Sequence, residues 1–379
     1  MSGGSRHILL AAGGTGGHMF PAEATARALL ARGHHVMLIT DRRGADHTGR
    51  LAGVEIRVIA AGGVAGRAVL KRAIAAGNLV LGFGQALALV ARQKPGAVLG
   101  FGGYATLPTM AAAMTLRVPA ALHEQNAVLG RANRLLAPRV HMIATSFART
   151  KAMRQVDQAK VVVTGNPVRP EIAALAGATY PPFEEQNGIR LLVTGGSQGA
   201  RVFGHLVPAA VSRLPESMRA RLRVDQQARP KDLDTVTAAY RDCGVRAEVA
   251  PFFHDIPQRL ATCHLLIARS GASTVAELTA AGRPAILVPY PHAIDNHQTA
   301  NAAAIAEAGA AWLMPEAGLD AAGLAERLRA LIERPETLTA AARRARAIGR
   351  ADAAERLAAL VERLLPANGG RDPLKVAAE

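Results

Sequence analysis

The chain has 379 residues, half of them hydrophobic, a fifth charged and only 3% aromatic, with a formal net charge of +16. That length suits about two domains with sizeable cores, and the shortage of aromatic side chains argues against a stacking platform for single-stranded nucleic acid. The two cysteines, Cys243 and Cys263, follow neither metal nor redox spacing, which excludes a disulfide scaffold and leaves a reduced chain as the expectation.

The opening "MSGGSRHILL" enters a strand at once and has no signal-peptide core, so no export is expected. A strand at His7–Ala11 runs into "GGTGGH", then a helical pattern and a second strand at His35–Thr40. A glycine loop at a strand end that opens into a helix N-terminus is a ready anion site, because backbone N–H groups and the helix dipole both favour negative charge. "GTGGHM" matches the first two glycines of a dinucleotide fingerprint, but Met19 stands where the third belongs. Asp41 lies near the ribose position of that motif, with Arg42 and Arg43 after it. So incomplete a motif is weak evidence for NAD, and a nucleotide or sugar diphosphate suits the loop better. His18, leaving the loop, is a phosphate ligand or a base titrating near the ordinary histidine value of about 6.5.

Further strands are expected at Gly53–Ile59, Ala97–Gly100, Ala120–His123 and Met142–Thr145. From Ile56 to His123 there is no acidic residue, against seven basic ones: Arg57, Arg67, Lys71, Arg72, Arg92, Lys94 and Arg117. Within it, "AIAAGNLVLGFGQALALVA" is nearly as long as the roughly 20 residues that span a bilayer. Asn78, Gln85, three glycines and a position between parallel strands favour a crossover helix instead. Up to Gly165 the chain carries 20 basic and 6 acidic residues, and from Asn166 onward 25 and 23, so the excess charge sits in the first half. That asymmetry points to an anionic partner. No helix-turn-helix, zinc-finger or RNA-binding signature occurs, so nucleic acid is not expected.

A proline-rich stretch from Pro167 to Pro182, followed by "FEEQNG", reads as a connector. "LLVTGGSQGAR" then repeats the strand–glycine loop–helix theme of "ILLAAGGTGGH" half a chain later, with strands expected near Leu222–Asp225, Ala247–Ala250, Leu265–Ala268 and Ala285–Val288. Alternating strands and helices predict two Rossmann-like α/β domains with parallel sheets, their strand-end crevices facing across a cleft. The expected limits are 1–165, a connector 166–188, a second domain 189–345, and a tail 346–379. A charged helical stretch, Thr339–Leu365, runs into that tail and packs back before a frayed end. In the second domain, Ser270 to Thr274 would present N–H groups and hydroxyls to a diphosphate, with Glu277 one turn on for a ribose diol. The alternative for Thr274 and Glu277 is a capping box. Asp295, Asn296, His297 and Gln298 suit sugar hydroxyls, or an N-cap at Asp295.

The segments "GGTGGHMFPA", "GFGGYATLPTMAAA", "HEQNAVLGRANRLLA", "TGNPVRPEI", "TGGSQGAR" and "RSGASTVAELTAAGRPAILVPYPHAIDNHQ" follow one another in an order that is itself specific. With them the chain resembles the bacterial glycosyltransferases that move GlcNAc from UDP-GlcNAc to undecaprenyl-pyrophosphoryl-MurNAc-pentapeptide (lipid I), giving lipid II for peptidoglycan. The resemblance implies a GT-B fold, an inverting transfer, no cofactor and no metal in the site; "DLD" at Asp232–Asp234 does not look like a metal–diphosphate motif. It implies that Thr15, Gly16 and Gly17 line the first loop, and that Asn126, Arg169 and Ser197 contact the donor. Phe253 matches a backbone contact to uracil. Ala272, Ser273, Thr274, Val275, Ala276 and Glu277 match the diphosphate and ribose segment. Gln298 matches a contact to the GlcNAc hydroxyls, with His297 as the other candidate. His18 is the leading candidate base and Glu124 the second.

Because that acceptor is lipid-linked, the first domain is expected to dock peripherally on the cytoplasmic face of the inner membrane. An apolar patch at Leu79, Val80 and Phe83, ringed by Arg67, Lys71 and Arg72, would meet the anionic membrane surface. A UDP-GlcNAc 2-epimerase of the same architecture, and a non-enzymatic membrane-associated sugar-nucleotide sensor, are the alternatives.

Overall fold

Short runs of Ile, Leu, Val and Ala bounded by glycine and proline pair here as parallel strands, and helices that bury small residues cover them. The computed structural model describes residues 6–14, 16–45, 53–61, 69–183, 188–196 and 201–366. It divides into two units, residues 1–169 with 352–379, and residues 170–351.

The first unit holds β1 (His7–Ala11), β2 (His35–Thr40), β3 (Val54–Val58), β4 (Ala97–Gly100), β5 (Ala120–Glu124), β6 (Met142–Thr145) and β7 (Val161–Val163). All are parallel, in the order β3-β2-β1-β4-β5-β6-β7, with Ile8 of β1 in register with Val36 on one side and Ala97 on the other. β4 and β5 are buried along their whole length, as a sheet covered on both faces requires. The order reverses between β1 and β4, and at such a switch point the strand ends open a crevice.

On one face, the helices Gly16–Ala31 and Ala353–Glu362 close a core of Leu10, Leu29, Val36, Leu357, Leu360 and Val361. Arg32 ties the late helix down through Glu355 and Glu362, each at 2.7 Å. On the other face, Leu9, Ile39, Val90, Met110 and Leu122 form a second core beneath the helices Val69–Gln93 and Thr106–Thr115.

The second unit holds β8 (Ile189–Thr194), β9 (Leu222–Gln227), β10 (Arg246–Ala250), β11 (Leu265–Ala268), β12 (Ala285–Leu287) and β13 (Ala311–Leu313). These too are all parallel, in the order β10-β9-β8-β11-β12-β13, with Leu191 of β8 between Val224 and Leu265. The switch point lies between β8 and β11. Arg283 is fully buried, yet its guanidinium is satisfied: it donates to the carbonyls of Leu260 and Ala261 at 2.5 and 2.9 Å. These are last-turn carbonyls of the helix Ile256–Thr262, so Arg283 completes that helix's C-terminus.

The ten strands given bounds from sequence all form, to within two residues at either end, and so does the one expected at "LLVT". β7 and β13, three residues each, were not foreseen, and the tail expected as one helical stretch is two helices, Pro335–Ile348 and Ala353–Glu362.

Candidate functional site

In the first unit, the residues at issue gather at the carboxyl ends of β1, β4 and β5. Gly14 follows β1 with φ +86°, and its N–H donates to Asp41 Oδ1 at 3.0 Å. The same oxygen accepts from the Gly44 N–H at 2.8 Å, and Arg43 pairs with Oδ2 at 3.2 Å. Asp41 is buried and committed to holding the loop, and Met19 fills the core below it, so the dinucleotide reading finds no ribose ligand here.

Gly16 and Gly17 open the helix Gly16–Ala31, where the first N–H groups have no partner within the helix. A Cβ on Gly16 would sit 3.0 Å from the Phe20 ring, and Arg169 lies 6.0 Å over that same ring. Arg169 thus reaches the start of this helix. Thr15 lies outside the described residues.

His18 stands in the first turn of the helix. Its Nδ1 is 3.1 Å from Gln125 Oε1, and its ring rests against Gly102 and Gly103, whose φ values are +84° and +79°. A side chain at either glycine would be strained by its backbone, and its Cβ would stand in contact with the imidazole.

Glu124, at the end of β5, is buried. Its carboxylate accepts from the N–H of Asn126 at 3.0 Å, Asn126 Nδ2 at 3.3 Å, the N–H of Gly130 at 2.8 Å and Asn133 Nδ2 at 2.8 Å. With both oxygens occupied twice, Glu124 fastens the loop that carries Asn126. Sequence reasoning passed over Gln125 and His123, which are buried here and linked to His18. The signal was available: "HEQN" continues an apolar strand with four polar residues.

In the second unit, the helix Ala272–Ala280 begins with Gly271 as its N-cap, at φ −62° and ψ 149°. Thr274 therefore lies inside the first turn, and the capping box proposed for Thr274 and Glu277 does not exist. Ala272 and Ser273 open the helix, and Ser273 Oγ is sealed from solvent without a hydrogen-bond partner. Val275 is buried and anchors the helix, while Ala276 and Glu277 stay partly accessible.

The preceding Ser270 donates to the carbonyl of Gln298 at 2.8 Å, and Asn301 Nδ2 donates to the carbonyl of Ser270 at 3.0 Å. Gln298 Oε1 accepts from the Tyr290 N–H at 2.9 Å, and His297 Nδ1 donates to Ile294 O at 2.7 Å. These bonds join the loops after β11 and β12 into one piece. Asp295 and Asn296 are both left-handed at φ 52°, so the expected N-cap at Asp295 falls instead to Asn296 before the helix His297–Glu307. Two such residues in succession store strain of the kind that collects at binding loops.

Phe253 is buried with the Arg259 guanidinium 4.0 Å above its ring, so its side chain is spent on packing and only its backbone is left for recognition. Arg269, which sequence reasoning missed, donates to the carbonyls of Val288 and Pro289 at 3.1 and 3.0 Å and pairs with Glu316 at 2.6 Å. It braces the same two loops. Ser197 lies outside the described residues.

Among the described residues no cluster of three or more His, Cys, Asp or Glu is placed to hold a metal. A cavity of about 620 Å³ beside β3, lined by Arg57, Gln85, Leu89 and Arg92 among others, lies apart from these loops.

Residues 8–145 match the glycosyltransferase family 28 N-terminal domain and residues 190–357 the glycosyltransferase family 28 C-terminal domain. A protein of Paramagnetospirillum magneticum is 54% identical over 96% of this chain and 98% of its own length. It is named UDP-N-acetylglucosamine--N-acetylmuramyl-(pentapeptide) pyrophosphoryl-undecaprenol N-acetylglucosamine transferase. The protein of that name in Rhodospirillum rubrum is 55% identical over 94% of this chain and 91% of its own. Among solved structures, Acinetobacter baumannii MurG matches with a TM-score of 0.76 at 29% identity, covering 94% of this chain and 99% of that one. A UDP-GlcNAc 2-epimerase from Neisseria meningitidis bound to UDP-GlcNAc matches at 0.64 and 14% identity over 93% and 99%, a likeness of fold alone.

Proposed function

The chain belongs to glycosyltransferase family 28, and from that membership we propose how its residues divide the work of one reaction. It is a GT-B enzyme that transfers GlcNAc from UDP-GlcNAc to undecaprenyl-pyrophosphoryl-MurNAc-pentapeptide, converting lipid I to lipid II. The observation that carries this is the identity of 54–55% with relatives of that one name along nearly the whole chain. The epimerase reading has only the shared fold behind it.

In the transfer, the MurNAc 4-hydroxyl attacks the anomeric carbon of GlcNAc while UDP leaves from the opposite face, which inverts that centre. Two needs follow: charge stabilisation for the departing diphosphate and a base for the hydroxyl proton. The second unit meets the first need. The N-terminus of the helix Ala272–Ala280 supplies N–H groups, and Ser273 Oγ gains the partner it lacks in its own chain. Glu277 takes the ribose hydroxyls, the Phe253 backbone reads the base, and Gln298 or His297 holds the GlcNAc hydroxyls. Ser197, Asn126 and Arg169 complete the donor contacts. The first unit supplies the base, His18, with Thr15, Gly16 and Gly17 in the adjoining loop. Glu124 is the lesser candidate because its lone pairs are already filled.

The first unit also docks on the anionic, cytoplasmic face of the inner membrane. By length and composition Ile74–Gln93 is apolar enough to cross a bilayer. It is instead a crossover helix that buries Ala75, Gly82, Ala86 and Val90, so it lies on the unit as a peripheral surface. The apolar patch differs from the expected one: Phe83 packs toward the core and Leu79 is half-buried, while Ile74, Val80 and Leu81 are exposed. Arg67 and the side chains of Lys71 and Arg72 lie outside the described residues.

The deciding assay follows UDP release with UDP-GlcNAc alone and with lipid I added. We expect release only when lipid I is present. UDP-ManNAc formed from UDP-GlcNAc alone would make the chain an epimerase, and no turnover with lipid I would reduce it to a sensor.

A further inference from the structure

We propose that Gln125, backed by His123, is the positioning residue that fixes the tautomer of His18, holding its proton on Nδ1 and its lone pair on Nε2. This rests on the base role assigned to His18 above. The direction of every hydrogen bond in the chain follows from its fixed ends. Phe101 O can only accept, and it lies 2.8 Å from Gln125 Nε2. That atom is therefore the amide NH2; the flipped amide would set two oxygens against each other. Gln125 Oε1 then faces His18, and because it can only accept, Nδ1 of His18 must donate across the 3.1 Å contact.

The second hydrogen of Gln125 Nε2 is shared between His123 Nδ1 at 3.0 Å and the carbonyl of His123 at 3.2 Å, both of them acceptors in the neutral ring that Gly165 O selects. His123 Nε2 then carries the hydrogen that it donates to Gly165 O, also at 3.0 Å. Read from Gly165 to His18, each group has one role and none conflicts. Both ends are anchored in the main chain, for Phe101 N itself donates to Ala11 O at 2.8 Å.

His123 is fully buried, and that burial lowers its pKa to about 4. It stays neutral near pH 7 and cannot turn its Nδ1 into a donor that would push Gln125 over. The ring of His18 is meanwhile walled by Gly102 and Gly103, where a Cβ would come within 3.5 and 3.4 Å of it. A free imidazole prefers its proton on Nε2, the wrong nitrogen for a base acting from that atom. Gln125 reverses the preference, and it does so without a charge. The proton taken at Nε2 is therefore not held by a neighbouring carboxylate through the ring.

The test uses the full chain labelled with 15N-histidine, with the tautomer read from nitrogen shifts and two-bond correlations near pH 8. The His18 signals are identified by their loss in His18→Gln. We expect the proton on Nδ1 in the wild type and mainly on Nε2 in Gln125→Met. In Gln125→Met, kcat should fall by about tenfold or more, and by no more than the roughly 10²–10⁴-fold that general-base catalysis is worth, at unchanged KM for UDP-GlcNAc.

A wild-type His18 carrying its proton on Nε2 overturns the proposal without any variant. So does an unchanged tautomer in Gln125→Met. A different result strikes the underlying reading alone: normal kcat in His18→Gln removes the base role, while the nitrogen shifts still judge the positioning.

Discussion

Glu124 accepts four hydrogen bonds from its own chain, and that occupancy separates it from His18 as a proton acceptor. In the sequence the two were close rivals, because a carboxylate and an imidazole beside glycine loops both suit base chemistry. Asn126 fills one oxygen of Glu124, and Gly130 and Asn133, whose return to this carboxylate no spacing reveals, fill the other. Glu277 shows the opposite case. Its capping-box alternative fell once Gly271 took the N-cap. Glu277→Ala should therefore raise KM for UDP-GlcNAc by roughly 10- to 150-fold, the worth of charged hydrogen bonds of about 1.5–3 kcal/mol. An unaltered KM would take Glu277 out of the donor site.

The helix Val69–Gln93 buries Ala75, Gly82, Ala86 and Val90, while Ile74, Val80 and Leu81 face out. Gly82 meets the carbonyl of Ala60, where any Cβ would overlap, and Ala75 and Ala86 share that inner face. Phe83, next to Gly82, is carried to the same side and packs on the core, which a reading that groups the bulkiest residues into one exposed patch does not see. Val80 and Leu81 are 72% and 57% exposed, and they replace Leu79 and Phe83 as the residues to alter. Val80→Glu with Leu81→Glu should abolish the part of binding to anionic vesicles that survives high salt, at unchanged turnover of a short-chain, soluble acceptor. Wild-type protein that fails to sediment with such vesicles at low salt would end the docking proposal. Strands were easier to read than this helix face, since buried parallel strands are continuous apolar runs. β7 and β13, three residues each, lie at the sheet edges, whereas β12, equally short but inside its sheet, was legible in the run "AILV".

Two sheets wound alike, each reversing beside its first strand, were legible as a repeated strand–glycine loop–helix theme. The division of the tail was not. Nothing in "IGRADAAERL" announces that Pro335–Ile348 belongs to the second unit and Ala353–Glu362 to the first. The contacts that decide it are those of Leu357 and Val361 with Leu10 and Leu29, more than 300 positions away. Leu357→Ala should cost about 2–5 kcal/mol. Hydrogen exchange should show faster opening in β1, β2 and the helix Gly16–Ala31, with β8 and β11 little changed; equal loosening of both sheets would contradict this division. The same helix also sets a timetable. A ribosome adds roughly 5–20 residues per second, so synthesis of residues 170–351 leaves Leu10, Leu29 and Val36 without their cover for roughly 10–40 s. During that interval the nascent chain exposes the part of this apolar face that the helix Ala353–Glu362 covers, and a chaperone that holds such faces has its substrate there.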